Sequence, residues 1–300
     1  MKPVVVIGAN GQLGYDLCEL KVGTERDVIA LKRADVDLRD HPAVDALLES
    51  IRPAVIVNTA AFHKLDACEA DVEQAFAVNA LAVRNLARAA ERLGARLVQL
   101  STDYVFDGNS EVPYPEDAAP NPINAYGASK VSGEFFVRNL CSQHLIVRTS
   151  GLYGVAGSSG KGGNFVQTML RLGRDKGVVS VVTDQVLSPT FTRDLAEMIW
   201  RLVDADAQGV VHVTNSGSCS WYEFARSIFE LSGVPAEVRP TTTSEMGGGP
   251  RRPAYSVLAN TRLENLGFGL LRAWRAALRT YLEGPGEASQ EILGVKSATN

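Results

Sequence analysis

Short runs of Val, Ile and Leu alternate with longer amphipathic stretches from residue 3 to about residue 215. This alternation is typical of βα units, in which each strand is followed by a helix that packs on a parallel sheet. Most of the runs are continuously apolar, as strands buried on both faces require. The alternation predicts an α/β fold with a doubly wound parallel sheet, whose strands are expected at residues 4–7, 28–31, 54–58, 96–101, 145–148, 179–182 and 210–213.

Apolar residues recur at helical spacing between these strands. A further helix is expected at Trp221–Ser232, where Ser220 and Glu223 form a capping box and Gly233 ends the helix. Beyond Gly233 the strand rhythm stops, and residues 241–253 are expected to be a long irregular segment. The helices expected between the strands are residues 42–51, 71–93, 126–140, 164–175 and 193–204.

These elements suggest two lobes and a tail. Residues 1–160 are expected to form a dinucleotide-binding domain, to which residues 178–215 return. Residues 161–177 and 216–285 are expected to form a smaller α/β lobe that binds substrate. Residues 286–300 lack a clear period and are expected to be a flexible tail.

Composition narrows the function classes. A net charge of −4 gives no cationic field for nucleic acid, so this partner is not expected. The apolar run before the first glycine is too short for a signal peptide or a membrane span. The four cysteines are scattered without metal-ligand spacing, which predicts reduced thiols, no bound metal and a cytoplasmic location. The oligomeric state is left open, with a homodimer as one alternative.

A glycine-rich turn follows the first strand in the order Gly8, Gly11, Gly14. Such a turn leads into a helix whose free backbone N–H groups can hold a pyrophosphate, so it predicts dinucleotide binding. The second strand ends in Lys32 and Arg33 rather than in the acidic residue that favours NAD. Two cations there predict NADPH, with NADH as a lesser alternative; the competing interpretation is that both charges are simply solvated.

Tyr126 and Lys130 are four residues apart at the start of an expected helix, so their side chains share one face. An ammonium group beside a phenol favours the phenolate and is expected to draw the pKa of the tyrosine toward the working pH. Thr102 lies where the fourth strand leaves the sheet, at the edge where α/β folds bind ligands. The three residues predict a hydride-transfer site in which a proton moves to or from a carbonyl oxygen.

With these motifs the chain resembles the dTDP-4-dehydrorhamnose reductase family of extended short-chain dehydrogenases/reductases. The resemblance covers most of the chain and implies a Rossmann-type fold. The stretches that carry it are GANGQLG from Gly8, NTAA from Asn58, STDYVFDG from Ser101, YGASK from Tyr126, RTS from Arg148, Asn164-Phe165, Asp184-Gln185 with Ser188-Pro189-Thr190, and Arg252-Pro253.

The resemblance implies reduction of a 4-keto-6-deoxyhexose attached to dTDP, with dTDP-4-dehydro-L-rhamnose as the first candidate substrate. It implies that Tyr126 donates the proton, that Lys130 holds the nicotinamide ribose, and that Thr102 bonds the keto oxygen. The cofactor would be held by Gly8, Gly11, Gln12, Leu13 and Gly14 at the pyrophosphate, by Asp37 and Leu38 at the adenine, and by Ala60 and Ala61 at the nicotinamide. The substrate would meet His63, Thr102, Asp103, Gly151, Asn164 and Arg252.

Two residues depart from the family pattern. Gly151 stands where the family usually has a tryptophan, so an aromatic surface against the substrate is missing. His63 stands where the family usually has threonine, and a histidine can change charge near neutral pH. His63 either contacts substrate or relays a proton, or it has only a packing or solvated role. The departures leave the reaction class intact and put the identity of the sugar in question.

Two other functions share this scaffold. A sugar-nucleotide epimerase or dehydratase would keep NAD tightly bound and regenerate it in each turnover. A non-catalytic regulatory subunit would retain the fold without the reaction, although the presence of both Tyr126 and Lys130 counts against it.

Overall fold

A computed structural model describes residues 3–20, 27–156 and 163–284. The expected tail, residues 286–300, lies outside these ranges. The strands are β1 (Val4–Ile7), β2 (Val28–Leu31), β3 (Val55–Asn58), β4 (Arg96–Thr102), β5 (His144–Thr149), β6 (Leu152–Tyr153), β7 (Val178–Val182), β8 (Val186–Leu187), β9 (Thr190–Phe191), β10 (Gly209–His212), β11 (Asn215–Ser216), β12 (Cys219–Ser220), β13 (Glu237–Thr241) and β14 (Leu271–Ala273).

The helix expected at Trp221–Ser232 begins and ends where its capping box and Gly233 predict. The helices are α1 (Gln12–Glu19), α2 (His41–Ile51), α3 (Leu65–Ala70), α4 (Val72–Phe76), α5 (Ala82–Leu93), α6 (Ala125–Leu140), α7 (Phe165–Lys176), α8 (Thr192–Asp204), α9 (Trp221–Ser232), α10 (Thr261–Asn265) and α11 (Trp274–Glu283). Within the described ranges no helix is long and apolar enough to cross a membrane.

The main sheet has six parallel strands in the order β10-β5-β4-β3-β1-β2. Its strands are almost entirely buried because helices cover both faces: α1 and α8 pack on one, and α2, α5 and α6 on the other. The chain runs from β1 outward to β2 and then returns to β3 on the other side of β1. Ligands of such sheets bind at the carboxyl ends of the strands beside this reversal. The predicted Rossmann-type α/β fold is confirmed.

A second hydrophobic cluster lies outside the sheet and is rich in aromatic rings. It joins α7, α9 and α11, with Tyr153 and Phe224 fully buried at its centre. The rings of these two residues lie 5.5 Å apart between their centroids. This cluster forms the core of the part of the chain predicted to bind substrate, and the domain boundaries themselves stay a prediction.

The structure corrects three expectations about elements. The sequence predicts strand β7 as part of the main sheet, but β7 pairs in parallel with β13 instead. Strand β13 was missed after Gly233 because its sequence, EVRPT, is half exposed and carries two charges and a proline. The helix expected at residues 71–93 is interrupted by a π-helical turn at Ala77–Leu81. Neither the half-exposed strand nor the extra residue of the π-turn gives the regular spacing of apolar residues from which strands and helices are predicted.

Candidate active site

The glycine turn closes tightly between β1 and α1. The backbone N–H groups of Gly8 and Ala9 donate to the carbonyl of Leu31, and the N–H of Gly11 donates to the carbonyl of Gly8 at 2.9 Å. A Cβ atom at Gly14 would lie only 2.2 Å from the Gly8 carbonyl oxygen, so the helix can approach the turn only with glycine there. The N-terminus of α1 therefore opens at the carboxyl edge of the sheet, where its unpaired N–H groups can bind an anion.

Gln12 and Leu13 begin α1 with different surroundings. The Leu13 side chain is buried in the core, which leaves its backbone to face a ligand. The Gln12 side chain accepts a hydrogen bond from the N–H of Gly154 at 3.0 Å. The carbonyl of the same Gly154 accepts from the side-chain amide of Asn164 at 2.8 Å. The backbone of Gly154 thus connects the glycine turn to the start of α7.

Lys32 and Arg33 are exposed directly after β2, next to the strand that carries the glycine turn. The Arg33 guanidinium lies 3.9 Å from the carboxylate of Asp37. Asp37 is itself paired with Arg39 at 2.5 Å, and this hydrogen-bonded contact lowers the pKa of Asp37 to about 2. Leu38 beside it is buried. From residue 32 to residue 39 the segment carries three cationic side chains against two anionic ones, Asp35 and Asp37.

Ala60, Ala61 and His63 lie half-buried in the loop after β3. The π-turn holds this loop, because the Asn79 side chain accepts from the N–H of Phe62 at 2.9 Å and donates to its carbonyl at 2.8 Å. The same amide lies 3.0 Å from the hydroxyl of Ser129 on α6. Asn79 was missed from the sequence, and π-turns of this kind are frequent at functional sites.

Thr102, Tyr126 and Lys130 are brought together where β4 ends beside the first turn of α6. The Thr102 side chain lies beside the phenol of Tyr126 and acts to lower its pKa, against the larger effect of burial. The Lys130 ammonium is buried and donates to the carbonyl of Leu100 at 2.5 Å. Asn124 caps α6 by accepting from the N–H of Gly127 at 2.8 Å. The sequence therefore predicted correctly which three residues share this place.

The ionisation of the pair differs from what was expected. Burial raises the pKa of Tyr126 above its ordinary value, and the negative charge of Asp103 adds to this effect. Burial lowers the pKa of Lys130 to about 8, against the opposing charge of Glu134. The expectation that Lys130 brings the tyrosine toward a phenolate is wrong here, because desolvation of the phenolate outweighs the attraction. The phenol keeps its proton, as a proton donor must.

Asp103, predicted to bind substrate, is buried beneath Thr102 rather than exposed beside it. Its carboxylate accepts hydrogen bonds from the hydroxyls of Thr102 at 2.9 Å and Ser150 at 2.7 Å, and also from Ser256. Burial raises the pKa of this carboxyl in spite of these donors. In this structure Asp103 orients the Thr102 hydroxyl.

Gly151 occupies a backbone position that excludes a side chain. Its φ of +56° is in the left-handed region, and a Cβ atom would lie 2.7 Å from the Leu187 side chain and 3.1 Å from the Cα of Pro189. The backbone at this position therefore has no room for the tryptophan that is usual in the family. The nearby β8 and β9 strands fill the space instead.

Asn164 and Arg252, both predicted to approach the diphosphate, have different surroundings. The Asn164 side chain is buried and caps α7 by accepting from the N–H of Gln167 at 3.0 Å. The exposed Arg252 lies near the phenol of Tyr104 and its charge acts to lower the pKa of that phenol; the Tyr104 ring lies 6.0 Å from that of Tyr126. Of Asn164 and Arg252, only Arg252 therefore lies near Tyr104 and Tyr126 with its side chain exposed.

The carboxylate of Glu69 accepts a hydrogen bond from the N–H of Ala125 at 2.7 Å. This contact satisfies an otherwise free donor at the start of the helix that carries Tyr126. Glu69→Ala is expected to reduce the free energy of unfolding by about 1 kcal/mol, the usual effect of losing a helix cap. Urea denaturation measures it, with Glu111→Ala at an exposed loop position as the matched control. Equal stability of the two variants would contradict a capping role.

No group of three or more potential metal ligands occurs among the described residues. Within the described ranges the cysteines form no disulfide: Cys68, Cys141 and Cys219 are buried, and Cys18 is half-buried.

Comparisons with known proteins agree with this geometry. The family model described as the RmlD substrate binding domain matches residues 1–285. The spore coat polysaccharide biosynthesis protein SpsK of Bacillus subtilis is 42% identical over 283 residues, 94% of this chain and 98% of that protein. The dTDP-4-keto-6-deoxy-D-glucose reductase of Streptomyces niveus is 42% identical over 276 residues, 91% of this chain and 94% of that protein.

A solved structure extends the similarity to the whole fold. The dTDP-4-dehydrorhamnose reductase of Bacillus anthracis, crystallised in complex with NADP, superposes with a TM-score of 0.90 at 41% identity. The match covers 94% of this chain and 99% of that chain. The chain therefore belongs to the RmlD family, the dTDP-4-dehydrorhamnose reductases.

Proposed function

We propose that this protein is an NADPH-dependent oxidoreductase that reduces the keto group of a dTDP-linked 4-keto-6-deoxyhexose, with dTDP-4-dehydro-L-rhamnose as the first substrate to test. The observation that carries the proposal is the meeting of Thr102, Tyr126 and Lys130 at the carboxyl edge of the sheet. The names of its relatives in Streptomyces niveus and Bacillus anthracis support the same reaction class. A cytoplasmic location and a homodimer remain predictions from the sequence.

The residues at the glycine turn fit a dinucleotide. The close approach of Gly14 to the Gly8 carbonyl leaves the end of α1 open to a pyrophosphate, and Lys32 and Arg33 can bind a 2′-phosphate. Bound NADPH supplies the hydride that adds to the keto carbon.

Tyr126 supplies the proton for the same step. As the carbonyl carbon gains hydride, its oxygen becomes an alkoxide, which takes the phenolic proton and leaves a phenolate on the enzyme. The raised pKa of Tyr126 means that this proton is present before reaction. The neighbouring Lys130 ammonium stabilises the phenolate once it forms, and Thr102 orients the oxygen that receives the proton.

The proposal is tested by NADPH oxidation with a panel of dTDP- and UDP-linked 4-keto-6-deoxyhexoses, with NMR of the product to assign its stereochemistry. Oxidation with stoichiometric formation of the 4-hydroxy sugar is expected for at least one dTDP sugar. Failure with every sugar would reject the proposed function. NAD that leaves the purified protein only on denaturation would favour an epimerase or dehydratase instead.

Cofactor preference gives a separate prediction. The double variant Lys32→Ala/Arg33→Ala is expected to raise the KM for NADPH by roughly 10-fold or more, because a lost charge-assisted contact to phosphate costs about 1.5 kcal/mol or more. The KM for NADH, which has no 2′-phosphate, is the internal control and is expected to change little. Equal increases for both cofactors would show that the two cations do not read the phosphate.

A further inference from the structure

Three consecutive residues at the end of β4 each contact α6, at positions spaced by about one helical turn. The Leu100 carbonyl accepts a hydrogen bond from the Lys130 ammonium, and the Thr102 side chain lies beside the Tyr126 phenol. Between them, the Ser101 hydroxyl donates to the carboxylate of Glu134 at 2.5 Å. Tyr126, Lys130 and Glu134 are spaced four residues apart and therefore lie along one face of the helix.

Glu134 is anchored from the neighbouring strand as well. Arg148 on β5 lies directly opposite Ser101 in the register of the sheet. Its guanidinium forms a bidentate pair with the Glu134 carboxylate, at 2.9 Å from Nε to Oε1 and 2.7 Å from Nη2 to Oε2. The side chains of Arg148 and Glu134 are only 0% and 3% exposed. Side chains on strands β4 and β5 thus both bind the carboxylate that Glu134 presents from α6.

An aromatic ring, an uncharged histidine and one further cation surround this pair. The Arg148 guanidinium stacks over the Phe106 ring at 5.2 Å and lies 3.4 Å from Nε2 of His212. Burial and the charge of Arg148 lower the pKa of His212 to about 3, so this histidine stays uncharged. The exposed Arg138 lies 3.7 Å from the Glu134 carboxylate and adds a weaker contact. A buried carboxylate without its pair would be strongly destabilising.

The charge of Glu134 also acts on Lys130. Burial disfavours the ammonium form of Lys130, and Glu134 is the charge that opposes this effect. Elements packed against α6 carry other ionisable groups. These are Asp66, Cys68 and Glu69 on α3, Glu73 on α4, Arg84, Arg88, Glu91 and Arg92 on α5, Arg96 on β4, Asp103 and Tyr104 after β4, and His144 and Arg148 on β5.

We infer that Glu134 is a positioning residue for the reduction: it fixes the turn of α6 that carries Lys130 against the end of β4, and its negative charge keeps the lysine in its ammonium form. The inference rests on the proposed function, because it assigns a role within that reaction. Glu134 makes its contacts from beneath the site and acts through Lys130.

The variant that tests this inference is the double substitution Glu134→Gln/Arg148→Met. Glu134→Gln alone leaves Arg148 buried without a counter-charge and could fail to fold, whereas the double variant removes both charges together. Arg138→Met is the matched control, because it removes a guanidinium near Glu134 on the exposed side of the helix and leaves the buried pair intact. Circular dichroism confirms that each variant is folded.

Two measurements are made on each protein. The first is NMR titration of the side-chain carbon next to the Lys130 ammonium, in protein with labelled lysine and with the signal assigned by Lys130→Met. The second is the pH dependence of kcat/KM. In the double variant we expect the Lys130 titration and the high-pH limb to move to lower pH, because the charge that opposes the effect of burial on Lys130 is gone; the rate should fall above the limb and stay near normal well below it.

The outcomes separate the two proposals. An unchanged Lys130 titration in the folded double variant, or a rate lowered equally at every pH, would overturn the inference, since a purely structural role predicts either result. If the wild-type protein reduces none of the sugars, the proposed function fails. The NMR titration then still decides whether Glu134 sets the charge of Lys130, because it needs no substrate.

Discussion

Tyr126→Phe is expected to lower kcat for keto-sugar reduction by roughly 10²- to 10⁴-fold, the usual contribution of a positioned general acid. Phenylalanine fills the same space and lacks only the hydroxyl that lies beside Thr102. The fold and the affinity for NADPH should therefore persist, and fluorescence titration of NADPH together with steady-state kinetics measures both quantities. Because the phenol is protonated in the free protein, the loss should be similar across the neutral pH range.

The control for this variant is Tyr222→Phe on α9, which makes the same chemical change in the C-terminal lobe. It should leave kcat close to that of the wild type. A Tyr126→Phe enzyme with near-normal kcat would show that the proton comes from another group, and the role assigned to the tyrosine would be lost.

Arg148→Met is expected to reduce the free energy of unfolding by about 3–5 kcal/mol, because it leaves the Glu134 carboxylate buried without its pair. The Glu134 side chain is 3% exposed, so water cannot replace the guanidinium. Denaturation by urea measures the loss. The double variant Glu134→Gln/Arg148→Met should recover most of it, since no buried charge then remains.

The control for the stability prediction is Arg239→Met, which breaks a pair with Glu237 in which both side chains are more than half exposed. Exposed pairs of this kind contribute about 0–1 kcal/mol. If Arg148→Met were no more destabilising than Arg239→Met, the buried pair would not be the connection between α6 and the sheet that the structure indicates.

Much of the fold could be predicted from the sequence because it depends on local signals. Continuous apolar runs predicted the buried strands of the main sheet, and the Ser220 and Glu223 capping box predicted the start of α9. Strand β13 gave no such signal, because its side chains are half exposed and its pairing with β7 joins segments about sixty residues apart.

The candidate site likewise combines local features, which the sequence predicts, with contacts between distant segments, which it does not. The glycine turn, Thr102, Tyr126 and Lys130 are short motifs, and their proximity follows from the order of the strands. The support around them is not local: Asn79 reaches Phe62 through an extra residue in the π-turn, and Glu134 reaches Ser101 and Arg148 across the sheet register. For Glu134, the signal available in the sequence was an acidic residue four positions after Lys130, on the helix face that also carries Tyr126.

Gly154 has its two peptide groups committed to different partners, the N–H to Gln12 beside the glycine turn and the carbonyl to Asn164 at the cap of α7. A rotation of the backbone at this residue would break both bonds together. Movement of α7 is therefore mechanically linked to the loop that precedes α1, and whatever orders one end of this bridge restricts the other.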